Sequence, residues 1–147
     1  MHADRPLPFE KRTVFTAHGV GDLGKVSPDL ALRLGVRTGP VRLLNGVQGA
    51  KGGFGRAHIE SYVSRMRQLE GIGFRNAVSY VYFVVSAYGF AALQADGRII
   101  LVRPSGSLFH HVVCQWDGGL SLWSVTTAIP KNTMRHLQGV WIGEQGV

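Results

Sequence analysis

Three apolar runs separated by short turns follow one another in the sequence RIILVRPSGSLFHHVVCQWDGGLSLWSVTTA, residues 98–128. Pro104-Ser105-Gly106 and Asp117-Gly118-Gly119 are typical of turns between strands. Strands joined by turns this short run antiparallel, so the pattern predicts a β-meander. Pro130 is expected to end the third strand, and the three strands are predicted at 98–103, 108–116 and 120–128.

Helical periodicity lies upstream of these runs. Apolar residues recur every three or four positions over 56–70 and predict a helix that Gly71 ends. A second helix is predicted over 74–88, with a strand over 80–85 as the alternative because β-branched residues are frequent there. Helices followed by consecutive strands indicate an α+β fold, with two N-terminal helices packed on a C-terminal antiparallel sheet. A short helix over 131–137 is expected to close the domain.

Proline and glycine punctuate the first part of the chain and predict an irregular arm or tether, residues 1–35, before a folded domain, residues 36–147. Within the arm, Ser27-Pro28 is typical of a helix start and Gly35 of a helix end. A short strand is predicted over 41–44.

The composition favours a polyanionic partner. The 147 residues fit one domain, and 16 Lys and Arg against 9 Asp and Glu give a net charge of +7. No apolar run reaches about 18 residues, so no membrane span is predicted. The single cysteine, Cys114, excludes an intramolecular disulfide and a cysteine-based zinc site, and its apolar neighbours predict that it is buried.

A glycine-rich segment, residues 49–55, contains Lys51 and precedes the first predicted helix. It lacks the Gly-Lys-Ser/Thr spacing of a P-loop. The glycines can let the backbone approach a phosphate, with Lys51 as a substrate-binding candidate, or they can serve as a flexible lead into the helix.

His58, Tyr62 and Arg65 fall at positions i, i+4 and i+7 of that helix and form one stripe at the edge of its apolar face. A histidine and an arginine placed there can reach into a cleft. The alternative is a partly buried His58 bonded to backbone and a solvated Arg65.

Several short motifs resemble one family. The run Gly53-Phe54-Gly55-Arg56-Ala57-His58-Ile59-Glu60 resembles the G-F/Y-G-x-x-H-I helix start of Barnase–EndoU–colicin–RelE-type nuclease domains, in particular the group of phage and polymorphic-toxin proteins. Further similarities, in the family's order, cover roughly residues 36 to 140: the lead-in strand 38–43, the second helix after Gly73-Phe74, the basic strand 98–103 and the V-x-T-A-x-P strand 125–130.

The resemblance implies a metal-independent endoribonuclease without a cofactor, often a tRNase toxin with a cognate immunity protein. Such an enzyme acts in the cytoplasm, in some cases after delivery by a secretion system or a phage. The RNA 2′-hydroxyl attacks the adjacent phosphorus and leaves a 2′,3′-cyclic phosphate. This reaction needs a base, an acid and donors around the phosphate.

By the same resemblance, His58 is the candidate general base or acid and Thr127 the candidate phosphate ligand. Arg98 or Arg103 would stabilise charge in the transition state. Because these two arginines point to opposite faces of a strand, only one is expected in the site. The candidate substrate-binding residues are Arg65, Tyr82, Thr126, His110, His111 and Lys51.

One position departs from the family pattern. Many relatives carry a second histidine five residues after the first, where this chain has Val63. Its role can pass to Arg65, Tyr82, His110 or His111. If the role is lost, the chain is instead a non-catalytic RNA-binding module or a protein-interaction module on the same scaffold.

Overall fold

The computed structural model describes residues 6–142 and has an α+β fold. A 3₁₀ turn at Phe9–Lys11 precedes the regular elements of the chain. In order, these are β1 (Gly24–Val26), α1 (Pro28–Leu34), β2 (Gly39–Arg42), β3 (Val47–Gly49), β4 (Gly52–Phe54), α2 (Gly55–Glu60), α3 (Val63–Gly71), α4 (Ala77–Val85), β5 (Phe90–Leu93), β6 (Ile99–Ser105), β7 (Leu108–Asp117), β8 (Leu122–Lys131) and β9 (Gly139–Trp141).

Seven strands form one mixed sheet in the order β1-β2-β8-β7-β6-β5-β9, and β3 and β4 form a separate hairpin. The predicted meander is present, because β6, β7 and β8 pair antiparallel. The predicted purely antiparallel layout is wrong, because β2 pairs parallel to β8 through Val41 and Trp123. This pairing joins residues far apart in the sequence, so no local pattern marks it.

Part of the predicted irregular arm belongs to the sheet and its core. β1 forms an edge of the seven-stranded sheet, and Leu23, Val26 and Leu30 are buried with the residues of the central strands. The helix signals within it are confirmed: Ser27 Oγ accepts from Leu30 N at 3.2 Å, and Gly35 ends α1 with φ +74°. The structure therefore draws no boundary between residues 35 and 36.

The predicted helix over 56–70 is divided into α2 and α3. Ser61 Oγ donates to the carbonyl of His58 at 2.7 Å, and this local bond competes with continuation of the helix. Tyr62 is then extended, with φ −97° and ψ 107°. The second helix, α4, is shorter than predicted because Asn76 caps it, with Oδ1 accepting from Ser79 N at 2.9 Å.

Two expectations for the C-terminal part are wrong. Pro130 does not end β8, which continues to Lys131. β2 pairs with β8 only as far as Ser124, so in the part of the chain that the structure describes β8 has no neighbouring strand on that side at Pro130. A proline, which lacks an N–H, is tolerated at such an open edge. The expected closing helix over 131–137 is absent, and β9 pairs with β5 instead.

The main core lies between α4 and the sheet. Tyr80, Val81 and Val84 of α4 are fully buried against strand residues such as Leu101 and Val112. Cys114 lies in this core as predicted, and burial raises the pKa of its thiol.

The glycine-rich segment forms the β3–β4 hairpin, and its glycines permit close backbone contact. Gly55, the first residue of α2, has φ +77°, and a Cβ on it would lie 2.6 Å from the Leu44 carbonyl oxygen. Gly46 faces Gly55 and has φ +70°. A Cβ on Gly46 would clash with the carbonyl oxygen of Phe54. These contacts fix where α2 begins, and hence where His58 lies.

Gly55→Ala is expected to destabilise the fold by about 1–3 kcal/mol, because it imposes a left-handed backbone and a clash with backbone atoms. Urea unfolding followed by circular dichroism measures the loss. Gly71→Ala is the matched control, since a Cβ there meets nothing within 4 Å. Equal stability of the two variants would contradict the close contact between Gly46 and Gly55.

Candidate active site

His58 is oriented by the neighbouring hairpin. Its Nδ1 lies 2.6 Å from Gln48 Oε1, while Gln48 Nε2 donates to the carbonyl of Gly49 at 3.1 Å. The bond to Gly49 fixes the orientation of the amide, so Oε1 accepts and His58 Nδ1 must be the donor. The neutral imidazole then carries its lone pair on Nε2.

The predicted stripe survives the break between α2 and α3. The rings of His58 and Tyr62 meet edge to face with centroids 5.3 Å apart, and the Arg65 guanidinium lies 5.6 Å from the centre of the Tyr62 ring. Tyr62 is 42% exposed and separates His58 from Arg65 at the surface. The three side chains therefore form one cluster, although no continuous helix carries them.

Arg65 joins this cluster to the sheet. Its Nη1 donates to Thr127 Oγ1 at 3.3 Å and to the carbonyl of Ala128 at 2.9 Å. The structure thus brings together three of the predicted residues: His58, Arg65 and Thr127. We call these three, with Tyr62 and Gln48, the His58 cluster.

Tyr80 is close enough to Arg65 for the charge of Arg65 to act on it, and it forms a pair with His110. The Tyr80 hydroxyl is 2.8 Å from His110 Nδ1, and both residues are buried. Arg103 lies beside them: its guanidinium is 3.9 Å from the centre of the Phe83 ring and donates to the Phe83 carbonyl at 2.6 Å. Arg103 and His110 are therefore held by contacts with α4, through Phe83 and Tyr80.

Burial and charge shift the pKa values of the cluster. Burial, followed by the positive charge of Arg65, lowers the pKa of His58 below 6.5. Burial also lowers the pKa of Arg65 and raises that of Tyr80. His58 is therefore neutral at pH 7, the state that accepts a proton at Nε2.

Other predicted site residues lie elsewhere. Tyr82 lines a cavity of about 860 Å³ between α1, α4 and the β1–β2 edge. Arg98 and Thr126 line a second cavity of about 510 Å³. His111 bonds through Nδ1 to the carbonyl of Phe109 at 2.9 Å, and Lys51 is exposed in the turn of the β3–β4 hairpin. Of the two strand arginines, Arg98 lines this second cavity and Arg103 contacts Phe83.

Sequence reasoning missed Gln48, a member of the cluster, and Tyr80, which bonds to His110 close to Arg65. Gln48 lies in a short exposed strand, and nothing in its local sequence indicates a contact with His58. Tyr80 did carry a signal, because a tyrosine among aliphatic residues on a buried helix face needs a partner for its hydroxyl.

Residues 6–142 contain no group of three or more metal-binding side chains. In the same part of the chain, no helix is long and apolar enough to cross a membrane. No family model, curated protein or solved structure matches the chain.

The buried histidines predict a pH-dependent stability. Burial is the largest cause that lowers the pKa of both His110 and His111 below 6.5. The unfolded chain therefore binds more protons than the folded chain once the pH falls below that value, and the free energy of unfolding should decrease there. Urea unfolding from about pH 7 down to about pH 5 measures this slope.

His110→Gln and His111→Gln should each flatten the slope, and His18→Gln, at an exposed histidine, is the control for the substitution itself. A slope that is the same in all four proteins would show that neither buried histidine is held neutral by the fold.

Proposed function

We propose that this protein is a metal-independent endoribonuclease that cleaves RNA by attack of a 2′-hydroxyl on the adjacent phosphorus. The observation that carries the proposal is the His58 cluster. It presents a neutral histidine with its lone pair on Nε2, beside an arginine fixed to Thr127.

His58 acts as the general base. Gln48 holds Nδ1–H, so Nε2 removes the proton from the 2′-hydroxyl. The lowered pKa keeps the ring neutral at physiological pH, and the bond to Gln48 stabilises the ring orientation after Nε2 is protonated.

Arg65 and Thr127 bind the scissile phosphate. Within residues 6–142, Arg65 makes its hydrogen bonds through Nη1, so Nε and Nη2 retain donors for phosphate oxygens. The Thr127 hydroxyl accepts from Arg65 and can donate its own proton to the same phosphate. Donors fixed in this way stabilise the charge that develops on the phosphoryl oxygens.

RNA is the substrate because its own 2′-hydroxyl supplies the nucleophile. The attack then needs only a base, His58, and fixed donors to the phosphate, such as Arg65. The net charge of +7 also favours binding of a polyanion such as RNA. The similarity to toxin nucleases extends the proposal to tRNA as the substrate, cytoplasmic action, delivery as a secreted or phage-borne toxin and a cognate immunity protein as partner.

A non-catalytic RNA-binding module is the second candidate. Val63 stands where many nucleases of the resembled family have a second histidine, and it is 66% exposed at the start of α3. Under this alternative, Arg65 and Thr127 bind phosphate, but the leaving oxygen has no acid. In the nuclease, the hydroxyl of Tyr62, an exposed residue whose ring contacts His58, is the available proton donor.

His58→Ala is expected to reduce cleavage at least about 100-fold, the usual contribution of a general base. Purified protein is incubated with total tRNA in EDTA at low salt, and product ends are analysed for 2′,3′-cyclic phosphates. His18→Ala, a histidine outside the cluster, should cleave like wild type. Intact tRNA that is retained in a salt-sensitive complex with wild type would favour the binding module instead.

The pH profile of cleavage provides a separate prediction. Because the pKa of His58 is lowered, the acidic limb of kcat/KM should lie below pH 6.5. Arg65→Gln removes the positive charge that helps to lower the pKa of His58. The variant should therefore move this limb to higher pH, in addition to lowering the rate. If the limb stays in place in Arg65→Gln, a group other than His58 controls the profile.

A further inference from the structure

A second cleft borders the His58 cluster and has polar walls. Its volume is about 510 Å³, and it is formed by Lys11 from the N-terminal segment, Phe54 from β4 and Arg98 beside β6, with residues of β7 and β8. The strand residues that matter here are Gln115, Trp116, Asp117, Ser124 and Thr126. We call this the β8 cleft.

The cleft is lined by residues that adjoin elements of the His58 cluster in the sequence. Thr126 lines the cleft, and Thr127, the next residue, bonds to Arg65. Phe54 lines the cleft and immediately precedes α2, which carries His58. A strand of RNA whose phosphate lies at Arg65 and Thr127 therefore has a neighbouring nucleotide within reach of the cleft.

Three polar side chains of the cleft have unused hydrogen-bonding capacity. Within residues 6–142, the side chains of Gln115, Ser124 and Thr126 make no hydrogen bonds. Ser124 and Thr126 are only 7% and 9% exposed, yet no fully buried side-chain polar atom in this part of the chain lacks a partner. Their hydroxyl oxygens therefore keep some exposure, and both residues line the cleft.

The charges of the cleft favour a neutral ligand group over a phosphate. Lys11 Nζ is 2.8 Å from Asp117 Oδ2, and Arg98 Nε is 3.4 Å from Asp96 Oδ2. Each cation thus has its own carboxylate, and the contact with Lys11 lowers the pKa of Asp117, which stays ionised. A phosphate would have to compete with these carboxylates for the two cations.

The remaining chemistry fits a nucleobase. The amide of Gln115 and the two hydroxyls offer both donors and acceptors, as the edge of an unpaired base requires. Phe54 supplies an aromatic wall, with Lys11 5.6 Å from the centre of its ring. Stacking and edge recognition together are how proteins read single-stranded RNA.

From this geometry we propose that the β8 cleft binds one unpaired base of the RNA next to the scissile phosphate and gives the nuclease a base preference. This inference rests on the proposed function for the position of the phosphate. Binding of the base in the cleft does not itself require cleavage.

The test uses single-stranded 2′-O-methyl oligonucleotides of each base, which cannot be cleaved because they lack the 2′-hydroxyl. Fluorescence anisotropy at constant salt measures their affinities. Wild type is expected to prefer one base over the least favoured base by about tenfold or more, and Thr126→Val or Gln115→Ala should abolish most of that preference. Gln138→Ala, at an exposed position outside the cleft, should retain it.

Thr126→Val preserves the side-chain shape, and Gln115 is exposed, so thermal unfolding should confirm that both variants fold. Equal affinity for all four bases in wild type, or the same preference in the cleft variants, would overturn the inference. Competition by inorganic phosphate that removes the preference would also overturn it, since the cleft would then bind an anion.

The two proposals fail in different ways. Cleavage of unmodified tRNA with the same base preference in Thr126→Val and wild type would retain the nuclease and reject the cleft. Base-dependent binding that the cleft variants lose, without any cleavage by wild type, would retain the base site and reject the nuclease.

Discussion

The guanidinium of Arg65 joins the helical part of the molecule to the sheet, and the candidate site depends on this contact. Arg65 donates to the Ala128 carbonyl at 2.9 Å and to the Thr127 hydroxyl, so α3 is fixed against β8. Parallel β2 has ended before these residues, which leaves this part of β8 open for an arginine rather than another strand. The Ala128 carbonyl thus accepts a hydrogen bond from the charged guanidinium of Arg65, and the same guanidinium faces the proposed phosphate position.

His58, the other main residue of the cluster, is positioned by the β3–β4 hairpin. Gly46 and Gly55 bring two backbone segments into contact, so the start of α2 cannot shift relative to β3. Gln48 of β3 then reaches His58 at 2.6 Å. The sequence offered the glycines of residues 49–55 as a phosphate-binding loop. In the structure, Gly53 and Gly55 instead permit close backbone contacts, and these contacts determine where His58 lies.

The sequence indicated the features that rest on local interactions. Ser27 and Gly35 marked the ends of α1, and the two turn sequences marked the meander, because capping and turn formation involve neighbouring residues. The parallel pairing of β2 with β8 and the contact between Gln48 and His58 depend on tertiary structure, so they carried no signal. The stripe of His58, Tyr62 and Arg65 was expected from one continuous helix. In the structure, the helix is broken, and Tyr62 brings the three side chains together by contacting both His58 and Arg65.

A β-bulge in β8 separates the residue of the His58 cluster from the residue of the β8 cleft. Val113 pairs with Thr127 and Cys114 with Val125, so Thr126 is an extra residue opposite no partner. A bulge re-aims side chains and often occurs beside active sites. Here it separates Thr126, which lines the β8 cleft, from Thr127, which bonds to Arg65. In a regular strand with one residue fewer, only one of these hydroxyls would be retained. Under the two proposals, the inserted residue would let β8 contact a phosphate through Thr127 and a neighbouring base through Thr126.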